Sequence, residues 1–159
     1  MNIIEAVADP ALFGAMPAFK TLDSWQPWLT FLRAVYGLPM SDQDLKRFHQ
    51  HTGREEPHPG GYPEAVCVVG CQSGKSQVAS IVGTFEAMNA VLTGQRNVYV
   101  PLIAQDLRGA QRALFGYVKE AVTSSPLLKN EITRETAEGL EDAGIALGAA
   151  ELQADLRKV

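Results

Sequence analysis

The sequence predicts an α/β fold: a parallel sheet flanked by helices, incomplete, and preceded by short helices. Three observations predict it. The run "EAVCVVG" (64–70) is almost continuously apolar, as in a central strand buried on both faces of a parallel sheet. A short turn and a helical stretch, 75–92, follow it directly. A second apolar run, "RNVYVPLIA" (96–104), and a second helical pattern, "DLRGAQRALFGYVKEAV" (106–122), then repeat the order. Strand, helix, strand, helix is the pattern of a right-handed parallel crossover unit.

The opening stretch, "MNIIEAVADPALFGAM", has no basic leader and carries Glu5 and Asp9, so it does not read as a secretory signal. In "TLDSWQPWLTFLRAVY" (21–36), Trp25, Trp28, Leu29, Leu32, Val35 and Tyr36 recur at helical spacing. An amphipathic helix is expected there, with Asp23 or Ser24 as its N-cap and Pro27 in its first turn. A second helix is expected from Ser41, whose hydroxyl suits a cap and which Asp42 and Asp44 follow near the positive helix end. Residues 52–63, rich in Gly, Pro and charge, read as a loop. Pro101 in the second apolar run indicates a bulge, an edge position or the end of strand pairing. Beyond Ser125-Pro126, residues 131–148 are expected to supply one or two short strands, and 149–159 are helix-prone.

With 159 residues, 46% hydrophobic content and 20% charged residues, the chain lies outside the compositional range of disorder and has the core of one ordinary domain. It divides into an N-terminal helical segment, 1–52, and a core from 53 to 159. A net charge of −4 excludes a broad DNA-covering surface and leaves room only for local nucleic-acid contact. No stretch reaches the roughly 20 apolar residues of a membrane span, so no membrane contact and a cytoplasmic location are expected. Cys67 and Cys71 have no second Cys/His pair at zinc spacing and read as a structural thiol and a loop thiol. His49, His51 and His58 read as solvated rather than metal-binding.

The candidate site is "VVGCQSGKS" (68–76). A triphosphate cradle needs consecutive backbone N–H groups at a helix N-terminus, a lysine for the outer phosphates and a hydroxyl for Mg²⁺. Gly74 permits close backbone approach, Lys75 supplies the charge and Ser76 the hydroxyl, with Cys71, Gln72 and Ser73 forming the arch. The strict spacing places a glycine where Val69 stands. Gly70, one residue later, gives a shorter arch that works only if Gly70 takes over the turn. The same residues also fit a strand end, a turn and a solvated first-turn lysine.

Taken in order, "SWQPW" (24–28), "VGCQSGKS" and "VPLIAQDLRGAQRALFGYV" resemble the ATPase portion of the large terminase subunit, the DNA-packaging motor of tailed bacteriophages. The similarity runs from about residue 22 to about residue 138. The resemblance implies a P-loop NTPase-type sheet binding ATP and Mg²⁺, with Gly70 to Ser76 at the phosphates, Lys75 as the catalytic cation and Ser76 on the metal. It implies that Gln26 hydrogen-bonds the adenine edge with Trp25 packed beside it, although both also fit an ordinary helix start. It further implies double-stranded DNA, the portal and the small terminase subunit as partners of the full-length motor, in the host cytoplasm.

Two departures matter. Where the family commonly has an arginine after the residue that opens the loop, this chain has the neutral Cys71, and Arg108 and Arg112 are expected to be solvated. The second departure is the missing apolar strand ending in Asp-Glu: Asp106 follows "VPLIAQ" but falls at the cap of the next helix, and Asp142 and Asp155 follow no four-residue apolar run. The expectation is therefore a front portion of such a motor, truncated before that strand, which binds ATP and hydrolyses it very weakly. The alternatives are a non-enzymatic remnant or interaction module, with self-association through an exposed sheet edge, and another small P-loop NTPase or kinase.

Overall fold

Asn2 accepts the N–H groups of Ile4 and Glu5, while Glu5 reaches back to the Asn2 N–H at 2.8 Å; this reciprocal cap starts α1 (Ile3–Ala8). The computed structural model describes residues 1–95, 98–101 and 114–130 in full, and 132–135, 139–142 and 145–148 by their backbone. Two single-turn 3₁₀ segments, Phe13–Ala15 and Pro17–Phe19, follow α1. A third, Asp23–Trp25, leads directly into α2 (Gln26–Val35), with Pro27 in the first turn as expected. Neither Asp23 nor Ser24 caps that helix; the 3₁₀ turn takes the place of a side-chain cap.

Ser41 caps α3 (Asp42–Thr52) in a reciprocal arrangement with Asp44, and Gly53 closes it in the left-handed region. Asp44 is 4% exposed and joins α3 to α2. It accepts the Thr30 hydroxyl at 2.6 Å and the Ser41 hydroxyl at 2.8 Å, with Arg33 at 3.6 Å and Arg47 at 3.5 Å. Burial pushes its carboxyl up, but those hydrogen bonds and the Arg33 charge outweigh it and hold the group below the usual aspartate value.

The expected loop before residue 64 is present and pinned. Tyr62 N–H donates to the Val35 carbonyl at 2.8 Å, and a Cβ on Gly37 would lie 2.5 Å from the Gly61 nitrogen. Only glycine fits where these two backbones cross. The Tyr62 hydroxyl oxygen accepts from His58 N–H at 2.9 Å and from Arg54 Nη1 at 3.2 Å.

Next come the long helix α4 (Lys75–Leu92) and α5 (Gly116–Ser124), entered through Phe115. One apolar cluster joins Ile3, Ala6 and Val7 of α1, Phe13, Met16 and Phe19 of the 3₁₀ turns, Leu29 and Leu32 of α2, Val78, Ile81 and Phe85 of α4, and Ala121 of α5. Residues before and after position 52 thus share one core. Fully burying each large apolar side chain contributes about 1.5–3 kcal/mol. Ser125, fully buried after α5, ties this end to the N-terminal turns by donating to the Ala11 carbonyl at 2.7 Å.

The expected parallel sheet is not the architecture. Helices dominate the described residues, and 64–70 form no strand: Val66 is 85% exposed and Val68 99% exposed. The strands are short and lie later in the chain: β1 (Val98–Tyr99), β2 (Ile132–Glu135), β3 (Gly139–Asp142) and β4 (Ile145–Gly148), in the order β1-β4-β3-β2. Only β1 and β4 pair in parallel; β4 with β3 and β3 with β2 are antiparallel. A central strand needs a partner on each edge, and the second apolar run supplies a two-residue strand that pairs with β4 instead of with 64–70. That strand lies at the sheet edge and stops before Pro101, which has no N–H to extend the ladder. The P-loop NTPase-type parallel sheet is therefore overturned. The first part of the helix expected over 106–122, residues 106–113, lies outside the described residues, as do Asp106, Arg108, Arg112 and 149–159, while its C-terminal part is α5.

Candidate functional site

Gly74 is the N-cap of α4 and adopts the left-handed conformation, φ 83°. Gln72, two residues earlier, does the same at φ 58° and is the one non-glycine residue with positive φ among those described. The turn is thus made by Gln72 and Gly74. Gly70, expected to take over the turn, is not in the left-handed region. A non-glycine residue there costs on the order of 1–2 kcal/mol, so the surrounding contacts must fix it.

The next two residues of the turn, Ser73 and Gly74, are held against α2 and the residue before it. The Trp28 indole N–H donates to the Ser73 carbonyl at 2.6 Å. Trp25 lies under Gly74: a Cβ there would be 2.6 Å from Trp25 Cζ3 and 2.7 Å from Cη2. The Trp25 ring is itself held, its N–H donating to the Ala18 carbonyl at 2.8 Å and the ring tilted against Phe19 at a centroid distance of 4.6 Å. The two tryptophans of the chain are therefore the floor of the 70–76 loop. Trp25 thus lies beneath the loop backbone at Gly74.

On the other side, Lys75 is exposed and folds back so that Nζ donates to the Gly70 carbonyl at 3.4 Å, spanning the arch. One of its three donors is engaged there. The Gly74 carbonyl accepts from Val78 N–H at 3.0 Å, the first bond of α4, and no side chain caps that helix. Its leading N–H groups thus remain at the positive end of an 18-residue dipole. The Ser73 hydroxyl is buried and has no partner among the described residues. Ser76 is half-buried in the first turn of α4, and Cys71 is exposed with a free thiol.

Gln26 opens α2, half-buried, and its amide donates to the Leu22 carbonyl at 3.2 Å. Because a carbonyl can only accept, this bond orients the side chain and leaves Oε1 as the acceptor it presents. The structure thus brings Trp25 to the 70–76 loop, with Gln26 the next residue, at the start of α2. A ring nitrogen of His49 lies 3.2 Å from the Arg54 carbonyl, and the His58 ring is tilted against that of Tyr62 at a centroid distance of 6.1 Å. Sequence reasoning missed Trp28, read as one more apolar position of a helix. No short-range pattern signals a contact made across 45 residues.

Among the described residues no group of three or more His, Cys, Asp or Glu is placed to hold a metal, and no helix is long and apolar enough to cross a membrane. Comparison with protein-family models, with curated proteins and with solved structures finds no match to this chain.

Proposed function

We propose that this chain binds Mg-ATP through residues 70–76, as the nucleotide-holding portion of a phage DNA-packaging motor. One observation carries the reading. The segment that the resemblance assigns to adenine, 25–26, and the loop at 70–76 meet where Trp25 underlies Gly74 and where neighbouring Trp28 bonds Ser73. The local chemistry fits a phosphate chain: free N–H groups at a helix start, an adjacent lysine and an unsatisfied buried hydroxyl at Ser73. Gly70 to Gly74 would line the phosphates, Lys75 would turn from the Gly70 carbonyl to the outer phosphates, and Ser76 would offer its hydroxyl to the Mg²⁺ that arrives with the nucleotide. Gln26 Oε1 suits the exocyclic amine of adenine. The phosphate-binding chemistry rests on the loop, the start of α4 and the α2 tryptophans beneath them. Double-stranded DNA, the portal and the small terminase subunit are the partners it implies.

Saturating Mg-ATP, at about 100 times its dissociation constant, should add about 2.7 kcal/mol to stability. Thermal unfolding with and without Mg-ATP checks this. Lys75→Ala should lose the shift, and an equal shift in that variant, or none in the wild type, overturns the proposal.

One observation favours a second reading, an interaction module that self-associates. Val66 and Val68 are almost fully exposed in a run with no charged residue from 65 to 70. Such a segment invites strand pairing with another chain. Light scattering should give a mass that rises with concentration and returns towards monomer in Val68→Lys; a concentration-independent monomer refutes it.

A further inference from the structure

We infer that Trp28 is a positioning residue of the phosphate loop: by holding the Ser73 carbonyl, it aims the Gly74 N–H away from the α2 floor and towards a bound phosphate. The inference rests on the phosphate-binding reading above. The peptide unit joining Ser73 to Gly74 is planar and trans, so its C=O and N–H point in opposite directions. The bond from Trp28 Nε1 to the Ser73 oxygen, 2.6 Å long, fixes one end of that plane and therefore the other. Rotation of this peptide is otherwise cheap, because a glycine in the left-handed region gives little resistance to a flip. The Trp28 ring is held in turn, edge-on against Phe31 at a centroid distance of 5.6 Å. Lys75, Ser76 and Gln77 lie within α4, whose helical backbone directs their N–H groups. Gly74, at the junction, is the donor whose direction the helix alone does not set.

The test is titration with inorganic tripolyphosphate, which has no base, followed by calorimetry and by the amide resonances of ¹⁵N-labelled protein. Trp28→Phe keeps an aromatic ring against Phe31 and removes the N–H. The expected result is roughly ten-fold weaker binding, the lower end of what losing one hydrogen bond to a charged group gives. The Gly74 amide should stop responding to ligand, while the Lys75, Ser76 and Gln77 amides still respond. A purely structural Trp28 would lower the melting temperature and leave affinity and the Gly74 response unchanged, which would overturn the inference. A wild type that binds no tripolyphosphate overturns the phosphate reading and this inference with it; binding that Trp28→Phe leaves intact overturns this inference alone. Should Trp28→Phe not fold, the wild type still decides: a Trp28 indole N–H that exchanges as fast as a solvent-exposed one refutes the anchoring.

Discussion

Replacing Gly74 with alanine tests whether the tryptophan floor holds the loop. Two costs add. The first is the left-handed backbone at φ 83°, on the order of 1–2 kcal/mol for any residue with a Cβ. The second is steric: the new methyl would sit 2.6 Å from Trp25 Cζ3, and an ordinary carbon contact needs about 3.5–4.0 Å. Trp25 must therefore retreat by roughly 1 Å, straining its bond to Ala18 and its packing on Phe19, each worth about 1 kcal/mol. The sum is about 2–4 kcal/mol, a fall in melting temperature on the order of 5–12 °C for a chain of this length. Two controls separate the terms. Gly94 has the same φ of 83° with nothing within 4 Å, so Gly94→Ala should show the backbone cost alone. Gly70, with no positive φ and open space around it, should tolerate alanine within about 0.5 kcal/mol. The assay is urea or thermal unfolding of the four proteins side by side. If Gly74→Ala costs no more than Gly94→Ala, Trp25 is not wedged beneath the loop and the floor argument fails.

Acid should weaken the link between α2 and α3. The Asp44 carboxyl titrates below its unfolded value of about 3.9, so its contribution is complete above that pH and is lost as pH falls through the lower folded value. Urea midpoints from pH 7 to pH 3 should show Asp44→Asn less stable than wild type by about 2–4 kcal/mol near neutrality, with the gap narrowing only below about pH 4. A gap independent of pH would mean that the charge of Asp44 contributes nothing. The proposed nucleotide-binding reading, with Gln26 Oε1 facing the base, predicts that ATP binds about ten-fold more tightly than GTP, as expected when one hydrogen bond is lost and two acceptors face each other. Gln26→Ala should erase that preference in competition calorimetry while leaving tripolyphosphate affinity unchanged.

The elements legible in the sequence are those whose signals are local. Ser41 with Asp44 three residues on marks the start of α3, Gly53 marks its end, and the apolar spacing and Pro27 mark α2. Helix α4 follows from Gly74 and a long run without proline. Asn2 and Glu5 carry an equally local capping pattern, which a reading directed at signal peptides passes over. What the sequence does not reveal depends on partners. An apolar run such as 64–70 reports that its side chains suit burial, and only the presence of neighbouring strands decides whether they obtain it; here the second run pairs elsewhere. The loop follows the same logic. Gly74 was legible as a turn residue, but Gln72 in the left-handed region was not, nor were the contacts that Trp25 and Trp28, far away in sequence, make with Gly74 and Ser73.

These contacts also determine how the loop is held. Where a phosphate loop follows a strand inside a sheet, the ladder of backbone hydrogen bonds fixes its entry. Here residues 63–71 are exposed as they approach it, and the fixed points lie at the other end: Ser73 on Trp28, Gly74 on Trp25, and the first turn of α4 in the core through Val78. The loop is therefore coupled to α2 and only weakly to the segment that precedes it. Because α2 is joined to α3 through Asp44, and to the loop at 58–62 through the Gly37–Gly61 crossing, a disturbance on that side reaches the Ser73–Gly74 peptide through packed, hydrogen-bonded groups. A disturbance at Val66 or Val68 meets solvent and has no comparable route.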